Sequence, residues 1–434
     1  MTDRELTEQF IIENRTADVR SLALSHHPQG VDMRYALTQI AGWQTARLKV
    51  PLWAATNGIV YPKRLSLEQS TSQPVAEYKA KFIENLFGAG FKTADLTGRN
   101  RKSRRPPEPG AGFRMADLTG GMGVDCFFLS RSAALTCYNE ISEELCAIAA
   151  VNFKALGRQD IKISCRSAEE FLSGLEPDSF DILYIDPARR SSTGHKLMSI
   201  VDYRPNITAM QENLLRISRY VMVKLSPLLD ITQTLTEIKN VSHVIITGLD
   251  GECKELLLLM QRGFASETQI EAIDIFSNGN SLAPVVSTRE KESALPLPIA
   301  HPLQLKPGTY IGEPSAPYMK SALFRTIADR TGTALLHPDS HLFWSSDRPL
   351  DFPGRLFTIT GIIPFDKRSL APLARTRANL SVRNFPDSAP QLQHKLKLRD
   401  GGDRYLTATT LADTRKVLLD LKKTLPDQEK AVPD

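Results

Sequence analysis

Cysteine is scarce in this chain. There are five in 434 residues, Cys126, Cys137, Cys146, Cys165 and Cys253, and no two form a CxxC pair. That argues against a structural zinc site or a disulfide framework, and an odd, scattered set reads as reduced thiols in a cytoplasm. Uninterrupted apolar runs of about eighteen residues are missing too, so no transmembrane helix is expected. The opening MTDRELTEQF carries acids and lacks an apolar stretch, so no secretory signal is expected. What is present is ordinary for a globular protein: 41% hydrophobic and 24% charged residues, with a net charge of +5. The length exceeds one compact core and points to two to four domains.

The charge is unevenly spread. From Asp366 to Lys423 there are thirteen Lys/Arg against six Asp, a local +7 that exceeds the balance of the whole chain. Such a stretch can engage a polyanion or form a solvated basic surface. A near-repeat is also present: GFKTADLTG at 90–98 and GFRMADLTG at 112–120. Only the second copy continues into glycines, as GMGVD. The first continues as RNRKSRRPPEPG, whose like charges and prolines read as a solvated loop with no cofactor site, its basic run either touching nucleic acid or simply solvated. The segment 95–112, with its basic run 99–105, reads as an insertion.

Four regions follow from the patterning. Residues 1–75 are mostly amphipathic helix, and LEQSTSQPVAEYKAKFIENLF adds another helix with proline in its first turn. Residues 76–262 alternate strands (FRMADLT, AALTCYNE, IKISCR, FDILYID, YVMVKLS, HVIITGL, ECKELLLLM) with helices, the signature of a doubly wound parallel α/β sheet. The last two strands are separated only by DGE, which predicts an antiparallel hairpin. Residues 263–347 read as a small α+β domain with the helix YMKSALFRTIADRTG. Residues 354–425 open on the strand RLFTITGII, continue through SVRNFP and KLKLR, and are expected to close on a helix, DTRKVLLDLKKTL. The tail reads as disordered.

Three chemical elements fall on one rim of the parallel sheet. Asp117 ends the first strand and leads into Gly120, Gly121 and Gly123, which let the backbone turn sharply and approach a ligand. Cys126 stands where a dinucleotide fingerprint needs its third glycine. Glu140, twenty-three residues after Asp117, ends the second strand, where a carboxylate can take ribose hydroxyls. Asp186 and Pro187, in DPARR, end the fourth.

This set resembles the class I S-adenosylmethionine-dependent methyltransferases, with their Rossmann-like sheet and its antiparallel hairpin. The resemblance implies that Asp117, Thr119, Gly120, Gly121 and Gly123 border the amino-acid end of S-adenosylmethionine and that Glu140 binds its ribose. Ser167 and Ala168 then occupy the adenine position, with Ser167 where the family usually has Asp. Asp186 faces the methyl group and orients or deprotonates the acceptor, beside Pro187. Enzymes making 5-methyluridine carry a similar Asp-Pro-Pro-Arg but need a cysteine after strand five. This chain has VKLSPLLD there, which favours direct transfer. Arg189 and Arg190 can clamp a phosphate or carboxylate, or be ion-paired on the surface. Lys224, in an apolar strand, requires either a salt bridge or a site contact.

Over residues 10–425 the phrases LEQSTSQPVAEYKAKF, ADLTGGMGVD, YIDPARR, VKLSPLLD, YIGEPSAPYMKS and VRNFP…KLKLRDGGDRYLTATT are similar to bacterial methyltransferases with C-terminal ferredoxin-like and THUMP-like domains. THUMP domains bind RNA, so the resemblance implies an RNA substrate, with tRNA as one candidate. In KLKLR, strand alternation would put Lys395, Lys397 and Arg399 on one exposed face, joined by Arg383 as phosphate contacts. A methyltransferase of proteins or small molecules, and an RNA-binding protein with a vestigial cofactor fold, are the competing readings.

Overall fold

The computed structural model describes residues 2–25, 28–88, 112–189 and 200–424. The first ADLTG copy, the basic run 99–105, Arg190 and the tail lie outside the described residues, so the readings of them rest on sequence alone. The chain divides into two compact units, Met1–Ser242 with Leu257–Ala265, and His243–Leu256 with Ser266–Asp434.

The first unit begins with helices, the longest being Met33–Lys49 and Gln73–Gly88. Asp32 caps the former by accepting from the Tyr35 N–H at 3.0 Å, which satisfies one of the orphan donors of its first turn. Trp53 and Tyr61 from this region pack in one core with Phe127, Phe128, Tyr138 and Phe153. The parallel strands are β1 (Phe113–Asp117), β2 (Ala133–Asn139), β3 (Lys162–Ser164), β4 (Phe180–Ile185) and β5 (Ser218–Leu225). Their order is β5-β4-β1-β2-β3. The register sets Asp117 opposite both Tyr138 and Tyr184, so the carboxyl ends of β1, β2 and β4 finish on one level. Beyond β5 come β7 (Glu252–Gln261) and then β6 (Val241–Leu249), joined as the predicted hairpin through a turn at Asp250 and Gly251. Ile83, Met115, Ile182, Tyr184, Met222 and Leu259 form the core against one face of this sheet.

In the second unit the hairpin is not terminal. β8 (Gln269–Ile275) runs parallel to β6, and β9 (Val285–Thr288) pairs antiparallel with β8. A further seven-stranded sheet follows, built from β10 (Tyr310–Pro314), β11 (Ala334–Leu335), β12 (Phe343–Ser345), β13 (Gly354–Pro364), β14 (Asn379–Arg383), β15 (Arg404–Thr410) and β16 (Lys416–Lys423). Its order is β11-β12-β10-β13-β16-β15-β14.

Three expectations are corrected here. The expected closing helix is strand β16. Leu418 packs in one core and Val417, Leu419 and Leu421 in another, so both faces are covered and the apolar run does not alternate. KLKLR is not a strand either: Lys395 and Leu396 end the helix Ala389–Leu396, and Lys397 is its left-handed cap at φ 54°. The three cations therefore do not form a strand face. YMKSALFRTIADRTG is two helices, Ala316–Ser321 and Phe324–Thr331, separated by Ala322 at φ 54°.

Candidate functional site

The glycine loop after β1 is held mostly by its own chain. The Oδ1 of Asp117 accepts from the Thr119 N–H at 3.0 Å, and the Gly120 N–H donates to the Asn139 carbonyl at 2.8 Å. A Cβ on Gly120 would lie 2.0 Å from a ring carbon of Tyr138, so only glycine fits. Gly121 differs: its φ is 54°, and a Cβ there would have nothing nearer than 3.8 Å. Among these glycines Gly121 is the one that faces open space. Gly123 is the N-cap of the helix Val124–Leu129.

Glu140 bridges this loop to the next. One carboxylate oxygen accepts from the Gly121 N–H at 2.9 Å and the other from the Ser142 N–H at 3.0 Å. Each oxygen keeps a further lone pair, so ribose hydroxyls can still donate to it. Ser167 caps the helix Ala168–Ser173 in a reciprocal pair with Glu170, and Ala168 is buried behind it. Asn139 escaped the sequence reading. It is fully buried, and its amide donates to Leu118 and Arg166 carbonyls, which ties the loops after β1 and β3 together.

Asp186 joins the same assembly. Its N–H donates to the Thr119 hydroxyl at 2.6 Å, and Pro187 behind it is buried. Ala188–Arg189 pairs with Tyr203–Arg204 in a two-residue ladder. The Asp186 side chain, 37% exposed, is ion-paired with Lys224. Loss of hydration still raises its pKa, against the pull of Lys224.

Lys224 leads to a second, buried charge pair that sequence reasoning missed. The Lys79 side chain, from the helix Gln73–Gly88, is 0% exposed, and its Nζ lies 2.7 Å from Oδ1 of Asp125. It also donates to the hydroxyls of Thr71 at 3.1 Å and Tyr184 at 3.2 Å. Both hydroxyls in turn donate to Oδ2 of Asp125 at 2.7 Å. Lys224 Nζ is 3.4 Å from the Thr71 hydroxyl and 3.9 Å from Oδ2 of Asp125. Burial alone would raise the Asp125 pKa, but Lys79 and Lys224 overcome it and hold the carboxyl at about 2. Asp117 has no such cation. Burial pushes its pKa well up, aided by Asp125, Asp186 and Glu140. A signal for Lys79 did exist: it shares the buried stripe of its helix with Val75, Ala76, Ala80 and Ile83, where an unpaired cation is not tolerated.

Among the described side chains of the rim, the carboxyl groups of Asp117, Asp125, Asp186 and Glu140 outnumber the ammonium groups of Lys79 and Lys224. The described part of the rim is thus rich in carboxyl groups, which suits a cationic ligand, with Arg189 and Arg190 following Asp186 and Pro187 in sequence. Among the described residues no group of His, Cys, Asp and Glu could hold a metal ion, and no helix is long and apolar enough to cross a membrane.

The expected phosphate contacts separate. Arg383 donates twice to Oε1 of Glu313, at 3.0 and 2.6 Å, and Arg355 pairs with the other oxygen. Glu313 is buried, and Arg383 is ion-paired to it with 36% of its own side chain exposed. Lys395 pairs with Asp387 at 3.2 Å. Lys397 and Arg399 remain exposed, and backbone bonds set them beside Arg375 and Arg377. The Arg375 N–H donates to the Lys397 carbonyl, the Arg399 N–H to Thr376 and the Ala378 N–H to Arg399, all between 2.9 and 3.0 Å. Arg375, Arg377, Lys397 and Arg399 thus form an exposed cluster of four cations.

Residues 354–421 match the THUMP domain-like family and residues 310–353 a ferredoxin-like domain family. No curated protein matches the chain in sequence. Among solved structures it is similar to one described as "putative methyltransferase from Porphyromonas gingivalis W83", with 29% identity and a TM-score of 0.77 over 98% of this chain and 100% of that one. The O-methyltransferase from Bacillus cereus in complex with SAH is 13% identical, with a TM-score of 0.31 over 46% of this chain and 92% of that one. The strand order β3-β2-β1-β4-β5-β7-β6, the rim and the matched domains agree: the chain has a class I methyltransferase fold, followed by ferredoxin-like and THUMP-like domains.

Proposed function

We propose that this protein is an S-adenosylmethionine-dependent methyltransferase acting on RNA, with tRNA among the candidates, in the cytoplasm. The observation that carries the reading is the carboxyl-rich rim, with Gly121 opening onto it between Asp117, Glu140 and Asp186. The similarity to the Porphyromonas gingivalis protein over nearly the whole chain supports it. Bound S-adenosylmethionine would supply a methyl group on a cationic sulfonium. Glu140 would accept from the ribose hydroxyls, Asp117, Thr119 and Gly121 would border the amino-acid end, and Ser167 and Ala168 the adenine. Asp186 would accept a hydrogen bond from an acceptor N–H or O–H and take its proton as transfer proceeds. Titration calorimetry tests the cofactor. The wild-type chain should bind S-adenosylmethionine and Gly121→Arg should not, because its side chain would enter the space that Gly121 leaves open and its φ of 54° disfavours any Cβ. Equal binding by both would refute the assignment.

The RNA part rests on the THUMP-like domain and on the cation cluster. Replacing Arg375, Arg377, Lys397 and Arg399 together with Ala should weaken binding to all RNAs. It should also flatten the plot of log affinity against log salt by about 0.7 per lost contact on single strands. Cofactor affinity should stay constant. RNA binding indifferent to both salt and these changes would shift the acceptor to a protein or small molecule.

A further inference from the structure

The helical region before the sheet reaches into the site. Thr71 and Lys79 come from it, Asp125 from the first turn after the glycine loop, Tyr184 from β4 and Lys224 from β5. Lys224 stands between two carboxylates, paired with Asp186 and 3.9 Å from Asp125. Which of them it serves depends on how well Asp125 is already neutralised, and Lys79 is ion-paired with it at 2.7 Å.

We infer that Lys79 and Asp125 are positioning residues for Asp186: by occupying Asp125, the buried Lys79 leaves Lys224 to Asp186 and keeps Asp186 an anion able to accept the acceptor's hydrogen bond. The Thr71 hydroxyl steers this arrangement. It donates to Asp125 and accepts from both ammonium groups, so it points its lone pairs at Lys79 and Lys224 together. Without Lys79, Asp125 is a buried carboxylate short of a cation, and Lys224 is the cation within reach. A side-chain rotation toward Asp125 strips Asp186 of its counter-ion, and Asp186 then takes up a proton at higher pH. Among the described residues the groups acting on Asp186 are Lys224, Asp125 and Lys79, while Asp186 and Glu140 act on Asp117 and the Tyr184 hydroxyl donates to Asp125.

This inference rests on the methyltransferase reading, and its test separates the two. S-adenosylmethionine carries a sulfonium cation, whereas S-adenosylhomocysteine has a neutral sulfur, so the ratio of their affinities reports the charge of the carboxyls facing it, and Asp186→Asn isolates the share of Asp186. That ratio is measured by calorimetry on the full chain between pH 4.5 and 9. In the wild type it should rise with pH through one step, and Asp186→Asn should remove the step. Lys79→Met should move its midpoint up by about one pH unit, the scale of a lost neighbouring charge. Lys79→Met/Asp125→Asn should restore it, since neither the cation nor the competing carboxylate remains. Asp125→Asn alone should move it down, which keeps the test decisive if Lys79→Met does not fold. A midpoint indifferent to Lys79 and Asp125, or a wild-type ratio flat across this range, overturns the inference and leaves the methyltransferase reading standing. Failure of the wild type to bind either compound overturns that reading itself.

Discussion

Lys79→Met is expected to lower the free energy of unfolding by about 3–5 kcal/mol at neutral pH, the usual cost of breaking a buried ion pair from one side. Methionine is close to lysine in length and keeps most of the packing of its helix, so the loss is electrostatic. Asp125 keeps the Thr71 and Tyr184 hydroxyls, but among the described residues its nearest remaining cation is Lys224, 3.9 Å away before any rotation. The pH dependence carries the sign of the effect. In the wild type Asp125 sits at about 2, below an ordinary carboxylate near 3.9. A depressed folded pKa contributes stability that is complete above the unfolded value and fades as pH falls toward 2. In the variant Lys224 opposes burial without Lys79, so the carboxyl's pKa rises and acidification costs the folded chain less. The gap between the two proteins should therefore narrow as pH falls from 7 toward 3. Chemical denaturation at several pH values measures it. A loss under about 1 kcal/mol at pH 7 would mean that water or another group already satisfies Asp125. Lys79→Met/Asp125→Asn should recover much of the loss, because removing both partners leaves no buried charge.

Asp186→Asn should reduce methyl transfer by about 10²-fold or more, the scale of a missing acid–base group. Asparagine matches the shape of aspartate but can neither take the acceptor's proton nor balance Lys224. The affinity for S-adenosylhomocysteine should hold, since Glu140, Gly121 and the loop after β1 are untouched. Transfer of labelled methyl groups into RNA from cells lacking the gene gives the rate. Transfer at the wild-type rate would reduce Asp186 to a structural residue that ties DPARR to Thr119.

The rim was legible because its residues are local. Asp117, Glu140 and Asp186 each end a strand, and strands alternating with helices bring such ends to one side of a sheet. Spacing alone therefore carried the positions, and DGE carried the hairpin. Lys79 is different. Its helix pattern places it on a buried stripe, but nothing near it in sequence names Asp125, forty-six residues away. The C-terminal errors have two causes. A strand covered on both faces, such as β16, reads as continuously apolar and cannot be told from a helix by period. KLKLR alternates like a strand, yet Ser388, with Pro at the first turn and Gln391 at the third position, had already signalled a helix N-terminus. That local capping chemistry outweighed the short alternation.

The pairing of β8 alongside β6 has a consequence for how the protein can be divided. From His243 to Leu249, β6 bonds to β8 on one side and to β7 on the other. Val244, Ile245 and Ile246 there are fully buried. A chain stopped after Gly263 would keep every residue of the rim but strip β6 of that partner. Its row of bare N–H and C=O groups would then be an adhesive margin, ready to recruit a strand from a neighbouring molecule. The part that carries the rim is therefore not a detachable cassette, and its edge is covered by a strand that the chain supplies only after the sheet's hairpin is complete.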